Sequence, residues 1–274
     1  MDLTSIEAVF TPRDRNDLAG FSDGDAFLGG GTWLFSEPQP KLRRLFDLAS
    51  LGWPALRNDA SGLTIAATCR IAELFAFAPP VGWPAAGLIA QCCESLLGSF
   101  KIWNAATVGG NICLALPAGP MTALTASLDG VCTIWTVDGG ERYCSVLDLV
   151  IGNNRNSLAP GEILRSVFCP AAALQRRFAL RQIALNPLGR SAALLVATLD
   201  ASGDFALTIT AATPRPLRLD FAAIPTAAAL YASIETCVTG ANLWFDDIHG
   251  APDWRRHITL HLAEQVRAEL AGSA

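Results

Sequence analysis

Two stretches, Leu28-Gly29-Gly30-Gly31-Thr32-Trp33-Leu34 and Thr107-Val108-Gly109-Gly110-Asn111-Ile112, decide how this chain is read. Glycine has no Cβ, so such runs can adopt left-handed backbone angles and turn several N–H groups toward one anion. Each run also carries a Thr hydroxyl or an Asn amide beside its glycines. Together they suit a ligand with two phosphates. Neither run ends in the Lys and Ser/Thr that complete a P-loop, so nucleoside triphosphate hydrolysis is not indicated. Neither reads G-x-G-x-x-G between a strand and a helix, so the common dinucleotide fingerprint is absent. Ordinary tight turns account for either run alone, and less readily for both.

The pattern around the runs is that of mixed helix and strand. Ala26-Phe27-Leu28 reads as a strand entering the first run, Leu45–Leu48 as a second strand, and Leu63–Ala67 as a third. A short helix follows at Ile71–Phe77. Pro84 to Phe100 places Leu88, Ile89, Cys92, Leu96 and Phe100 on one helical face and leads into the second run. Met121–Leu128 reads as a helix stopped by Gly130, and Val131–Val137 with Arg142–Val146 as a hairpin about Asp138-Gly139-Gly140. Asn153–Asn156 is a polar loop, and Ile163–Cys169 a strand. Beyond Pro170 the pattern changes to three strands, Phe178–Ala184, Ala193–Leu199 and Phe205–Ala211. Two helices follow, Thr226–Cys237 and Trp254–Leu270, the latter with Asp253 as N-cap and Gly272 after its end. The change divides the chain into residues 1–170, with a small unit at 1–52 and a larger one at 53–170, and a C-terminal α+β domain at 171–274. No internal repeat or low-complexity tail is present.

The 274 residues leave room for two domains of roughly 100–200 residues each. Hydrophobic residues make up 51% and charged residues 16%, against an average charged share of about a quarter. Either the surplus apolar surface meets other protein chains or it reflects the many alanines. No apolar run reaches the roughly 18 residues that would span a bilayer. A net charge of −5, with no basic stretch interleaved with aromatics, argues against nucleic acid as the main partner. The opening Met1-Asp2-Leu3-Thr4 has no charged leader before an apolar core, so a cytoplasmic location is the expectation.

The eight cysteines show no C-x-x-C pair and no zinc-like or ferredoxin-like spacing. Most stand among aliphatic neighbours, as small buried hydrophobes do. The three histidines, His249, His257 and His261, all fall near the C-terminus. His257 and His261 have i,i+4 spacing but no third ligand, so no metal site and no catalytic residue is assigned to this chain.

Read in order, the first glycine run with Thr32, Leu97-Gly98-Ser99, Thr107–Ile112, Pro117-Ala118-Gly119, Leu158–Leu164 and Trp254-Arg255-Arg256-His257 form a pattern running nearly end to end. It resembles the FAD-binding medium subunit of the molybdenum hydroxylases, the family of xanthine dehydrogenase and carbon monoxide dehydrogenase. The resemblance implies an α+β fold: a two-part N-terminal FAD-binding domain of the PCMH type, then a smaller C-terminal domain with a three-stranded antiparallel sheet and helices. It implies that Leu28, Gly29, Gly30, Gly31, Thr32, Trp33, Leu34 and Phe35, with Thr107, Val108, Gly109, Gly110 and Asn111, cradle the FAD pyrophosphate through backbone N–H groups. Leu97 and Leu164 would line the flavin or adenine region. Arg181 falls where relatives place a Lys near the isoalloxazine ring, and a cation there would stabilise negative charge on reduced flavin. Trp33 stands where the family usually has an acidic residue, as does the neighbourhood of Pro120. Leu114 and Leu116 replace the usual Asn and Ser.

The resemblance further implies an oxidoreductase subunit that does no hydroxylation itself. Its FAD would take electrons from two 2Fe–2S clusters on a small partner subunit and pass them to an external acceptor. A large molybdopterin-binding subunit would act on the substrate, in a heterotrimer or a dimer of heterotrimers. Two alternatives stay open on the residues: a stand-alone FAD-dependent oxidoreductase of the same fold group, and an assembly subunit without cofactor, which Trp33 and Pro120 keep in view.

Overall fold

A computed structural model of the chain describes residues 3–272; Met1 and Asp2 of the opening stretch lie outside the described residues. The N-terminal unit is a three-stranded parallel sheet. Its strands are Ala8–Phe10, Arg44–Asp47 and Asp25–Leu28 in spatial order, so Arg44–Asp47 is central. Leu45 and Phe46 of that strand are buried. Phe46 stacks on Phe10 at 4.9 Å, Phe21 stacks on Phe27 at 4.4 Å, and Ile163 closes this small core. Arg44 donates through Nε and Nη2 to both oxygens of the nearly buried Asp25, at 2.7 and 2.5 Å. That fork pins the register of the two neighbouring strands and holds the Asp25 carboxyl below the usual carboxylate range.

A five-stranded antiparallel sheet follows, in the order Leu56–Asp59, Gly62–Ala66, Ile163–Pro170, Val131–Trp135, Glu141–Ser145. Three helices cover it: Gly87–Glu94, Val108–Leu114 and Pro120–Ser127. The third is buried at every position, because it lies between this sheet and a second one. That second sheet is a meander of Arg177–Ala184, Ser191–Leu199, Phe205–Thr210 and Leu217–Phe221. One face packs on the long terminal helix Pro252–Gly272, which lays Ile258, Leu262, Val266 and Leu270 against it. The other face sends Leu194 and Val196 into the helical layer. Strand Ser191–Leu199 is therefore buried along its whole length and reads as a continuous apolar run.

The sequence expectations differ from this in a few places. The helix read over Pro84–Phe100 is three pieces: a tight turn at Pro84–Ala86, the helix Gly87–Glu94, and a separate turn of helix at Phe100–Trp103. Gly98 and the extended Ser99 break it, and Phe100 ends up 72% exposed rather than on the buried face. The C-terminal sheet has a fourth strand, Leu217–Phe221, which Pro214 and Pro216 hide at its entry. Ser145 ends the hairpin early by capping a turn of helix, Val146–Leu149. Asp253 lies inside the first turn of a helix that begins at Pro252, and Gly272 is its last residue. Among the described residues, no helix is long and apolar enough to cross a membrane.

The terminal helix is locked by Arg255, whose side chain is 1% exposed. Its guanidinium donates to the carbonyls of Gly250 (2.9 Å), Ala192 (3.1 Å) and Ala211, and to Asp247. Arg255→Met is expected to destabilise the chain by at least about 3 kcal/mol, since each buried carbonyl left without a donor costs roughly 1–3 kcal/mol. Urea denaturation measures this directly. A loss under about 1 kcal/mol would show that those carbonyls find other partners.

Candidate functional site

The first glycine run leaves the carboxyl end of the edge strand Asp25–Leu28. Gly31 has φ +69°, and a Cβ on it would stand 2.4 Å from the Phe35 ring. Phe35 folds back beneath the loop and donates its N–H to the Gly31 carbonyl at 2.9 Å. Among the described residues, the N–H groups of Gly30, Gly31, Thr32, Trp33 and Leu34 make no hydrogen bond. Five consecutive donors without an internal acceptor demand an outside one. They border a cleft of about 580 Å³.

The second run behaves differently. Thr107 caps the helix Val108–Leu114, its Oγ1 accepting from the Gly110 N–H at 3.1 Å. The Val108 N–H goes to the Cys69 carbonyl (2.8 Å), Gly109 to Ala67 (2.9 Å) and Asn111 to Thr107 (3.0 Å). Every N–H from 108 to 111 is thus bonded within the chain, whereas the resemblance implied that this run turns its N–H groups to the pyrophosphate. Its glycines serve close packing instead. A Cβ on Gly109 would stand 2.4 Å from the Ala67 Cβ.

The structure does bring the two runs together. A Cβ on Gly29 would lie 2.8 Å from the Thr107 Oγ1, and one on Gly30 only 1.7 Å from the Ala105 carbonyl oxygen. Leu28 to Leu34, Leu97, Thr107, Gly110 and Asn111 all line the cleft; Val108 and Gly109 lie beneath it, and Phe35 behind the loop. Asn111 turns its Oδ1 to the Met121 N–H at 3.0 Å and so anchors the next helix. Leu96, Leu97, Ile102, Ala106, Leu114, Leu116 and Ala118 make the walls apolar.

Two expected residues are elsewhere. Leu164 is 3% exposed in the core of the five-stranded sheet, paired with Ile134. Arg181 is outside the lining and ion-paired at 2.5 Å with Glu269 on the terminal helix. The cation that lines the cleft is Arg190, whose guanidinium sits 5.2 Å from the centroid of the Trp33 ring. Only its place after Pro187-Leu188-Gly189 marks it in the sequence, and that does not set it apart from a solvated loop arginine.

Among the described residues, no group of three or more His, Cys, Asp or Glu side chains is placed to hold a metal ion. Burial pushes the Cys69, Cys93, Cys113 and Cys169 thiols up to about 12. Cys144 is the exception. It stands directly opposite Cys132 in the hairpin, and its pairing with that buried thiol is the first cause of its shift. With Arg142 nearby as a second cause, the Cys144 thiol is drawn below its ordinary range.

The chain belongs to the family of the FAD binding domain in molybdopterin dehydrogenase, which its residues 9–172 match. It is 31% identical over 121 residues to xanthine dehydrogenase from Oryza sativa subsp. japonica; the match covers 42% of this chain but 9% of that enzyme. The chain thus spans a small part of the length of that relative. Among solved structures it resembles a chain of quinoline 2-oxidoreductase from Pseudomonas putida 86 (TM-score 0.81, 18% identity), covering 100% of this chain and 99% of that one. It also resembles a chain of CO dehydrogenase from Oligotropha carboxidovorans (TM-score 0.83, 18% identity, 97% of each chain). At those identities the two structures share the fold.

Two outcomes follow from this geometry. Gly30→Ala must displace the loop from Ala105, costing about 1–3 kcal/mol as overpacking does, and should lower retained flavin. Gly82→Ala, at φ +95° with nothing within 4 Å, should leave flavin retention unchanged. The flavin-to-protein ratio after gel filtration compares them. In the native chain at pH 7.5, Cys144 should be alkylated by iodoacetamide before the other seven cysteines, as read by peptide mass spectrometry; Cys92 and Cys169, fully buried, should stay unlabelled.

Proposed function

We propose that this chain is the FAD-carrying electron-transfer subunit of a cytoplasmic, multi-subunit molybdopterin-dependent hydroxylase or dehydrogenase. The carrying observation is the row of unpartnered N–H groups at residues 30–34 along an apolar cleft, in a chain of the FAD-binding family. On this reading residues 1–170 are the flavin domain, and residues 171–274 a C-terminal domain that backs it. The N–H groups of Gly30 to Leu34 hold the FAD diphosphate, and Leu97, Ile102 and Leu114 shield its flat rings from water. Bound FAD supplies a redox centre able to take up and release electrons. Thr107, Gly110 and Asn111 shape the floor, and the N–H groups of Gly110 and Asn111 stay within the fold.

The partners in this reading are a small subunit with two 2Fe–2S clusters, which feeds electrons in, and a large molybdopterin subunit, which hydroxylates the substrate. The assembly is a heterotrimer or a dimer of heterotrimers. CO dehydrogenase, one of the structural relatives, is described as a Cu,Mo enzyme, which supports placing the substrate chemistry on another chain.

Cys113 is the thiol in the cleft lining, and burial keeps it protonated. FAD is therefore expected to be held without a covalent bond. Acid precipitation of the purified chain should release all the flavin to the supernatant, and yellow colour on the pellet would contradict it. The isolated chain should also pass electrons from its reduced flavin to artificial acceptors while oxidising no aldehyde or N-heterocycle. Turnover of such a substrate by the single chain would overturn the assignment.

A further inference from the structure

Apolar walls suit flat rings, and free N–H groups suit phosphate oxygens. A dinucleotide diphosphate also brings formal negative charge, which backbone dipoles meet only in part. Among the described residues that line the cleft, Arg190 alone is charged. Its guanidinium lies over the ring of Trp33, and Trp33 belongs to the same loop as the unpartnered N–H groups. Among the described residues Arg190 makes no hydrogen bond and no ion pair.

The kind of partner matters here. A carboxylate beside Arg190 would occupy the guanidinium fork and cancel its charge. An aromatic face attracts the cation through its quadrupole and leaves the N–H donors open. The residue is also well placed at its base. The Gly189 N–H closes a turn on the Asn186 carbonyl at 2.8 Å, and the fully buried strand Ser191–Leu199 begins at the next residue.

We propose that Arg190 is the counter-ion for the diphosphate of the bound flavin dinucleotide, held for that role by the face of Trp33. This rests on the flavin reading above. The planar fork matches a pair of phosphate oxygens, which a lysine ammonium does not. Arg190 then makes the cleft select a phosphate-bearing flavin over one without phosphate.

Affinity measured by flavin fluorescence, on the full chain stripped of flavin, tests this with FAD and riboflavin as probes. Arg190→Gln should weaken FAD about ten- to a hundredfold, the range for losing a charge-assisted hydrogen bond, and leave riboflavin affinity unchanged. Arg190→Lys should recover part of the loss. Trp33→Glu should resemble Arg190→Gln, because its carboxylate takes the fork. In the wild-type chain, added salt should weaken FAD but not riboflavin, a result that needs no variant to fold. Wild-type FAD binding that is equally tight in Arg190→Gln overturns this inference alone, as does a salt-independent FAD affinity. A parallel loss of riboflavin affinity places Arg190 at the ring instead and also overturns it. A wild-type chain that binds no FAD overturns the flavin reading, and this inference with it.

Discussion

The cleft depends on one close approach. The backbone of Gly30 lies so near the Ala105 carbonyl that any Cβ there would overlap its oxygen, at 1.7 Å. A parallel three-stranded unit and a helical layer can meet at that distance only through a residue with no side chain. Gly29 against the Thr107 hydroxyl and Gly109 against Ala67 continue the same seam. The seam fixes where the first loop hangs, and hence where its free N–H groups point. Glycine here serves packing between two layers as much as backbone freedom.

That seam is only as firm as what stands behind it. The helix Val108–Leu114 is pinned at its start by Thr107 and by bonds to Ala67 and Cys69. Asn111 ties it to Pro120–Ser127, which lies fully buried between the two sheets. The C-terminal meander presses on that helix from one side and takes the terminal helix on the other. Arg255 joins the terminal helix to the Ala192 and Ala211 carbonyls of the meander. A rigid path therefore runs from the last helix to the cleft floor, and strand Ser191–Leu199 on that path delivers Arg190 to the opening.

Much of this was legible in the residues. Strand and helix periods located most elements, because each buries one regular face. The two glycine runs located the cleft, since close approach leaves a compositional mark. The helix at 84–100 was misread because Leu96 and Phe100 keep helical spacing across the break at Gly98; spacing records a face, not continuity. The spending of the N–H groups at 108–111 was not legible either. It depends on where the Ala67 and Cys69 carbonyls arrive, and that is set by a strand some forty residues earlier. Leu164 was drawn toward the cleft by its motif neighbours, although it sits in a strand buried on both sides. Arg181 and Arg190 could not be told apart from sequence, because each is a lone arginine beside a strand. What separates them is Glu269, brought to Arg181 from the far end of the chain.

The departures from the family pattern are coherent once placed together. Trp33, Leu114 and Leu116 all face the same cleft, and each puts an apolar group where a polar side chain was expected. A cleft that loses side-chain hydrogen bonds at three points would bind poorly if side chains did the binding. Here the donors belong to the backbone at residues 30–34, and a change of side chain other than to proline leaves each N–H in place. The indole at position 33 supplies the ring over which Arg190 lies. On the flavin reading, recognition rests on backbone dipoles and one arginine. Those elements distinguish the diphosphate and the flat rings, the two features a flavin dinucleotide cannot lack.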